Sequence, residues 1–182
     1  MTESLPDEII MQNVKNGELT GMSVIFERYH LRLFNFFIRL GVERDASQDM
    51  TQSVFYRMIK YRNTYRDGSA VLTWMYQIAR NLHADYCIRQ KKTNSLFLQG
   101  GSIPEDVQED TDRIFEDDYQ RLEKALELLP ENQREILILS RYQGLKYDEI
   151  SGIMNQSVPA IKVTVHRAIK QLRNIFMNQE KQ

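Results

Sequence analysis

Apolar residues recur along this chain at spacings of three and four, and nothing in it reads as a set of alternating strands. The pattern predicts an all-α protein. Its clearest stripe lies near the C-terminus, in QSVPAIKVTVHRAIKQLRNIF from Gln156 to Phe176, where Val158, Ile161, Val165, Ala168, Leu172 and Ile175 share one side of a helix. Ser157 stands where an N-cap belongs, and Pro159 falls in the first turn, where its missing N–H costs nothing. At about 100° per residue the opposite face carries Val163, His166, Arg167, Lys170, Arg173 and Asn174, with Lys162 at its edge. Ahead of this helix, Tyr147 to Met154 reads as a short helix with Ile150, Ile153 and Met154 inward, and Asn155-Gln156 as a tight turn. A basic face alone is usually just solvated. A short helix, a tight turn and a longer basic helix make a helix-turn-helix, whose second helix enters the DNA major groove.

The same reading predicts helices over Asp7–Lys15, Glu18–Leu40, Glu43–Tyr61, Ala70–Lys91, Tyr119–Leu129 and Glu131–Tyr142. Asn16-Gly17, Gly41 and Gly144 are the stops. The second helix turns Phe26, Tyr29, Leu33, Phe36, Phe37 and Leu40 to a core; the third turns Ala46, Met50, Val54, Phe55 and Met58 inward, with Asp45, Asp49 and Gln52 on another side. Asn63 to Ser69 is a polar turn in which Asp67-Gly68 reverses the chain and Ser69 caps the fourth helix. In that helix Leu72, Met75, Ala79, Leu82 and Tyr86 form the stripe, while Trp74, Gln77 and Asn81 lie on a neighbouring face beside Arg80 and Arg89. Aromatics among bases and amides suit single-stranded nucleic acid, offering faces for stacking and cations for phosphates. Spacing equally allows Trp74 and Tyr76 to be half-buried core residues.

Charge changes the picture only when it is mapped. The 24 basic and 25 acidic residues nearly cancel, which argues against a nucleic-acid binder. Residues 54–92, however, hold eight Lys or Arg and two acids (+6), residues 105–118 hold eight acids and one Arg (−7), and residues 157–177 hold four Lys or Arg and no acid (+4). Two basic faces separated by an acidic segment suggest two nucleic-acid contacts on one chain. Residues 93–118, with Gly100-Gly101, a proline and the acidic run, read as an extended or mobile linker. The alternation of charge also predicts that the free protein is compact, with its basic faces hidden. Cys87 is the only cysteine, which excludes an internal disulfide and fits a reducing cytoplasm. No apolar run reaches membrane-spanning length and no signal-peptide pattern begins the chain, so a membrane protein is not expected. His30, His83 and His166 are scattered, no Cys/His cluster shows metal-ligand spacing and no Gly-rich phosphate loop is present; neither an enzyme nor a metal, cofactor or small-molecule site is expected.

Two segments together make the chain recognisable. LPENQREILILSRYQGLKYDEISGIMNQSVPAIKVTVHRAIKQL, Leu129 to Leu172, resembles region 4 of the sigma-70 family of bacterial transcription initiation factors. SQDMTQSVFYRMI and TWMYQIARNLHADYCIRQ, within Ser47 to Gln90, resemble region 2. With the two joined by a short acidic linker, the chain resembles the extracytoplasmic function (ECF) subfamily. The resemblance implies two small helical domains: region 2 over residues 1–92 and region 4 over residues 119–182, with the linker at 93–118. It implies a factor that binds core RNA polymerase, on the clamp of the largest subunit and the flap of the second-largest, reads the −35 and −10 elements of promoter DNA and melts it. An anti-sigma factor is a further implied partner.

By the same resemblance Asp49 and Gln52 match the clamp-binding helix, although Ser53 stands where a Glu is usual. Trp74 matches the aromatic of the melting segment. Asp67, Gly68, Ser69, Ala70 and Asn81 match the pocket for a flipped −10 base, with Gln77 beside it, and Arg80 and Arg89 would hold phosphates. Lys162, Val163, His166 and Arg167 lie at reading positions of the recognition helix, where relatives commonly carry Ser-Arg in place of Val163-Thr164; Lys170 and Arg173 suit phosphates. The alternative is a helix-turn-helix regulator acting without polymerase, which leaves the Asp49 and Trp74 helices without a purpose. Val163 is an apolar residue at the centre of the groove-facing surface, suited to a thymine methyl or deoxyribose edge. Val163→Ser is therefore expected to change base preference at one −35 position, read by selection from a randomised promoter library; an unchanged profile would refute this.

Overall fold

The structure, a computed structural model, describes residues 5–97 and 113–179. Among them every regular element is helical. Helix α1 (Asp7–Lys15) follows Pro6 and is stopped by Gly17, whose φ of +108° only glycine adopts easily. Helices α2 (Gly21–Arg39) and α3 (Arg44–Lys60) follow, then a 3-10 turn at Arg62–Thr64 and α4 (Val71–Phe97). Next among the described residues come α5 (Arg113–Glu127), α6 (Glu131–Leu137), which runs on through a π-turn at Ile138–Tyr142, α7 (Tyr147–Met154) and α8 (Val158–Gln179).

Helix α4 runs beyond the expected end at Lys91, and α5 begins before Tyr119. Residues 93–97 and 113–118 are thus helical where a linker was expected. Neither TNSLF nor RIFEDD contains a glycine or proline to break a helix. The rest of the expected linker, residues 98–112, lies outside the described residues.

Helices α1 to α4 bury Leu33, Phe36, Phe37, Val54, Met58, Met75 and Tyr76 completely, with Phe36 meeting the edge of Tyr76 at a ring distance of 5.2 Å. Tyr76 is therefore a core residue, and Trp74 is half-buried at the margin of the same core. Helices α5 to α8 gather Leu126, Leu129, Leu137 and Ala168, with Leu172 and Ile175 packed beside them. The expected inward stripe of α8 is the observed one: Ile161, Val165 and Ala168 are buried, and Val158, Leu172 and Ile175 are half-buried.

The two helical units share one continuous core. Ile136, Ile138, Leu139, Leu145, Ile150, Ile153 and Met154 of the second unit join the cluster built on α1 to α4. Helix α4 lies against α7, and α2 against the π-turn. At this junction the Tyr76 hydroxyl donates to Gln143 Oε1 at 2.8 Å with both groups buried, and the Arg32 guanidinium donates to the Gln143 carbonyl. Gln77 Nε2 donates to the Gly152 carbonyl at 2.8 Å, and the Arg39 guanidinium covers the Tyr142 ring at 4.4 Å. The compactness expected from alternating charge is present, but its visible cause is apolar packing and specific hydrogen bonds. The basic face of α8 is not hidden.

Gly152 sits inside α7, where glycine costs about 1 kcal/mol relative to alanine. The reason is proximity: a Cβ there would stand 3.1 Å from Thr73 Cγ2 on α4. Gly152→Leu is therefore expected to force the two units apart while favouring α7 itself. Small-angle scattering should give the unsubstituted chain a radius of gyration near the ~16 Å of a compact chain this long, and the variant a larger one.

Candidate nucleic-acid interface

The start of α4 and the loop before it form an open pocket of about 630 Å³, lined by Thr64, Tyr65, Arg66, Ser69, Ala70, Thr73, Trp74 and Gln77. Its shape is set from below. Tyr65 is fully buried under a loop whose sequence reads as wholly polar, and its hydroxyl donates to the Ser69 carbonyl. Burial, reinforced by Glu8, Asp67 and Asp7, pushes the Tyr65 pKa up to about 12, so the hydroxyl stays a donor. The Trp74 ring packs on Tyr65 at 5.3 Å with the planes 54° apart. Lys15 of α1 ties the loop down, donating to the Tyr65 carbonyl at 2.9 Å and to Asp67 Oδ1 at 2.8 Å. Gly68 turns the chain at a φ of +76°. Ser69 does not cap α4 as expected. The Trp74 N–H bonds the Ala70 carbonyl at 3.3 Å, which puts Ala70 at the cap and Ser69 one residue outside.

The structure thus gathers Ser69, Ala70, Trp74 and Gln77 into one concave site, while Asp67 and Gly68 are exposed in the loop and do not line it. Asn81 is exposed one turn beyond Gln77 and does not line the pocket. Arg89, exposed, lies twelve residues along α4 from Gln77, about 18 Å at 1.5 Å per residue. Arg80 faces the other unit: its Nε donates to Glu135 Oε1 at 2.9 Å and it reaches the Ile153 carbonyl at 3.5 Å. Burial raises the Glu135 pKa, and Arg80 opposes the rise. Gln77 and Arg80 are therefore engaged by α7 and α6 in this arrangement.

On α8 the expected reading positions Lys162, Val163, His166 and Arg167 are all exposed, as are Lys170 and Arg173. The geometry that presents them is local. Asn155 adopts a left-handed conformation at φ 52° to end α7, the Ala160 N–H bonds Ser157 Oγ at 3.4 Å, and Glu149 Oε2 accepts the Lys146 N–H at 2.7 Å to start α7. On α3, Asp49 and Gln52 are exposed, and Ser53 is half-buried. A second groove, of about 250 Å³ and mostly apolar, lies between α2 and α3 and includes Phe26, Leu31, Phe34, Gln48 and Gln52.

Some of these surfaces are not legible in the sequence. Tyr65 and Arg66 fall in a turn that reads as polar, because a loop has no periodicity from which burial can be read. Tyr56 is 64% exposed and follows Asp49 and Gln52 at helical spacing; an aromatic on the polar side of α3 was the available signal. Leu31, 63% exposed at the edge of the groove, carried no signal within an apolar-rich helix.

A family model of sigma-70 region 2 matches residues 25–93, and one of sigma-70 region 4 matches residues 119–172. The chain is similar to the ECF RNA polymerase sigma-E factor of Escherichia coli (strain K12), with 26% identity over 96% of both chains. It is 21% identical to the RNA polymerase sigma-H factor of Pseudomonas aeruginosa over 89% of both. Among solved structures, CnrH in complex with the cytosolic domain of CnrY shares the fold: TM-score 0.75, 17% identity, 94% of this chain and 97% of that one. The sigma factor RpoE from Bartonella quintana, in complex with the anti-sigma factor NepR, gives a TM-score of 0.68 at 25% identity over 84% of this chain and 94% of that one.

Trp74 lines the pocket with its ring half-exposed, and a base that enters would meet that ring. Removing one aromatic–base stack costs about 1–3 kcal/mol, or roughly 5- to 150-fold in affinity. Trp74→Ala is expected to weaken binding of a single-stranded oligonucleotide by that factor in the presence of core polymerase, with Trp74→Phe retaining most of it. Fluorescence anisotropy reads both.

Proposed function

Because this chain belongs to the sigma-70 family of RNA polymerase sigma factors, within its ECF subfamily, we propose a residue-level division of labour for the promoter-specific initiation that it carries out with RNA polymerase. Residues 1–92 act as region 2 and residues 119–182 as region 4. The exposed α8 face reads duplex −35 DNA, with Lys162, Val163, His166 and Arg167 toward base edges and Lys170 and Arg173 on phosphates. The pocket at the start of α4 receives an extruded base of the melted −10 strand, with Trp74 as its stacking wall. Asp49 and Gln52, with Tyr56 beyond them, contact the polymerase clamp.

The observation that carries this reading is the pairing, on one chain, of an exposed recognition helix with an open pocket of about 630 Å³ walled by Trp74. A helix-turn-helix regulator has use for the first and none for the second. Recognition and strand separation are the chain's part, and the nucleotide chemistry is the polymerase's. No described helix is long and apolar enough to cross a membrane; the cytoplasm, where promoter and polymerase meet, is the proposed place of work. An anti-sigma partner, as the Bartonella quintana RpoE structure contains, is proposed for this chain too.

In the compact arrangement Gln77 and Arg80 are held by the second unit. Arg80 becomes available to phosphates only when α6 and α7 leave α4. Binding to polymerase is proposed to drive that separation, because any partner that favours the open form shifts the population by its differential affinity.

Run-off transcription with purified core polymerase on random upstream DNA tests the whole reading. Discrete start sites that require the added chain are expected. Duplex binding without polymerase association would favour the simple regulator instead.

A further inference from the structure

His83 and Cys87 stand at i and i+4 on one face of α4, and Glu131 opens α6 of the other unit. No role in promoter recognition has been given to any of the three. His83 Nε2 lies 3.5 Å from Cys87 Sγ, and a Glu131 carboxylate oxygen falls within 4.8 Å of both. Zinc–sulfur and zinc–nitrogen bonds of about 2.3 and 2.05 Å at a tetrahedral angle put the two ligand atoms about 3.6 Å apart. The helix therefore already holds the first two ligand atoms at coordinating separation. The carboxylate must close by about an ångström, which an exposed glutamate in a first helical turn does by changing rotamer. The helix dipole accounts for an acid in that turn, but it asks for no histidine and thiol opposite it.

We propose that His83, Cys87 and Glu131 form a binding site for a divalent transition metal of the zinc class, and that the bound ion ties the two helical units together. The donor set is nitrogen, sulfur and oxygen, the mixture zinc accepts, and it leaves a fourth position for water. Burial lowers the His83 pKa, which keeps the imidazole neutral with a lone pair to donate. Burial raises that of the Cys87 thiol, which therefore keeps its proton until a metal displaces it to solvent. Thiolate and carboxylate then neutralise the two charges of the ion in a site only partly open to water. Because the ligands come from α4 and α6, the complete site exists only while the units are together. At a free metal concentration a hundred times the dissociation constant, the compact form gains roughly a hundredfold over the open one. Metal would thus oppose the release of Gln77 and Arg80.

Cobalt titration of the full-length chain tests this, with absorption reading thiolate-to-cobalt charge transfer and the visible bands of tetrahedral coordination, followed by displacement with zinc. One equivalent is expected to bind, and Cys87→Ser to abolish the charge-transfer band. Glu131→Gln, at an exposed position, is expected to fold normally by circular dichroism and to bind at least tenfold more weakly. Gly152→Leu keeps all three ligands, and where scattering shows its units separated it is expected to weaken binding as well. Absence of a charge-transfer band in the unsubstituted chain would overturn the site. Unchanged affinity in Glu131→Gln, or in Gly152→Leu with an enlarged radius of gyration, would overturn its spanning of the two units.

Discussion

Helix α4 has to satisfy two neighbours with one surface. Met75, Tyr76, Ala79 and Leu82 are buried, yet the same helix must approach α7 closely enough for Gln77 to reach the Gly152 carbonyl. The approach is close at Gly152, where a Cβ would stand 3.1 Å from Thr73 Cγ2 and Thr73 would have to give. Around it the polar groups are paired across the junction: Tyr76 with Gln143, Arg80 with Glu135. A buried carboxylate such as Glu135 is costly unless a cation meets it, so the junction is selective as well as apolar. Separation of the units leaves that carboxylate to find water instead.

The other features depend on this contact. With α7 against α4 and α8 packed on α7, the basic side of α8 faces solvent in the compact form. The face of α4 is divided. Its first turns, around Trp74, open onto the pocket, while Gln77 and Arg80 are taken up by the second unit. The two candidate surfaces thus differ: the α8 face is presented, and part of the α4 face is engaged internally.

The pocket itself rests on α1, the element least connected with nucleic acid in sequence terms. Lys15 reaches across some fifty positions to hold the loop through Tyr65 and Asp67. Asp7, at the other end of α1, accepts from both Arg28 and Tyr29 of α2 and fixes the helix on the bundle. A concave site on a loop is only as well defined as its supports, and here the supports are one lysine and one buried tyrosine.

Periodicity by itself determined the helices, the inward stripes and the outward basic side of α8, because burial of one face at 3.6 residues per turn is a local requirement written in local order. The turn glycines and Ser157 were legible for the same reason, since each answers to its own backbone. What periodicity could not carry was any relation between distant positions. That Tyr65 is buried, that Arg80 pairs with Glu135, that Gly152 lies close against Thr73 and that Glu131 comes to rest beside His83 and Cys87 were decided by tertiary packing alone. Each rests on atoms brought within a few ångströms from positions between nine and seventy-nine residues apart, and a spacing rule that reaches only to the next helical turn has no means to express them.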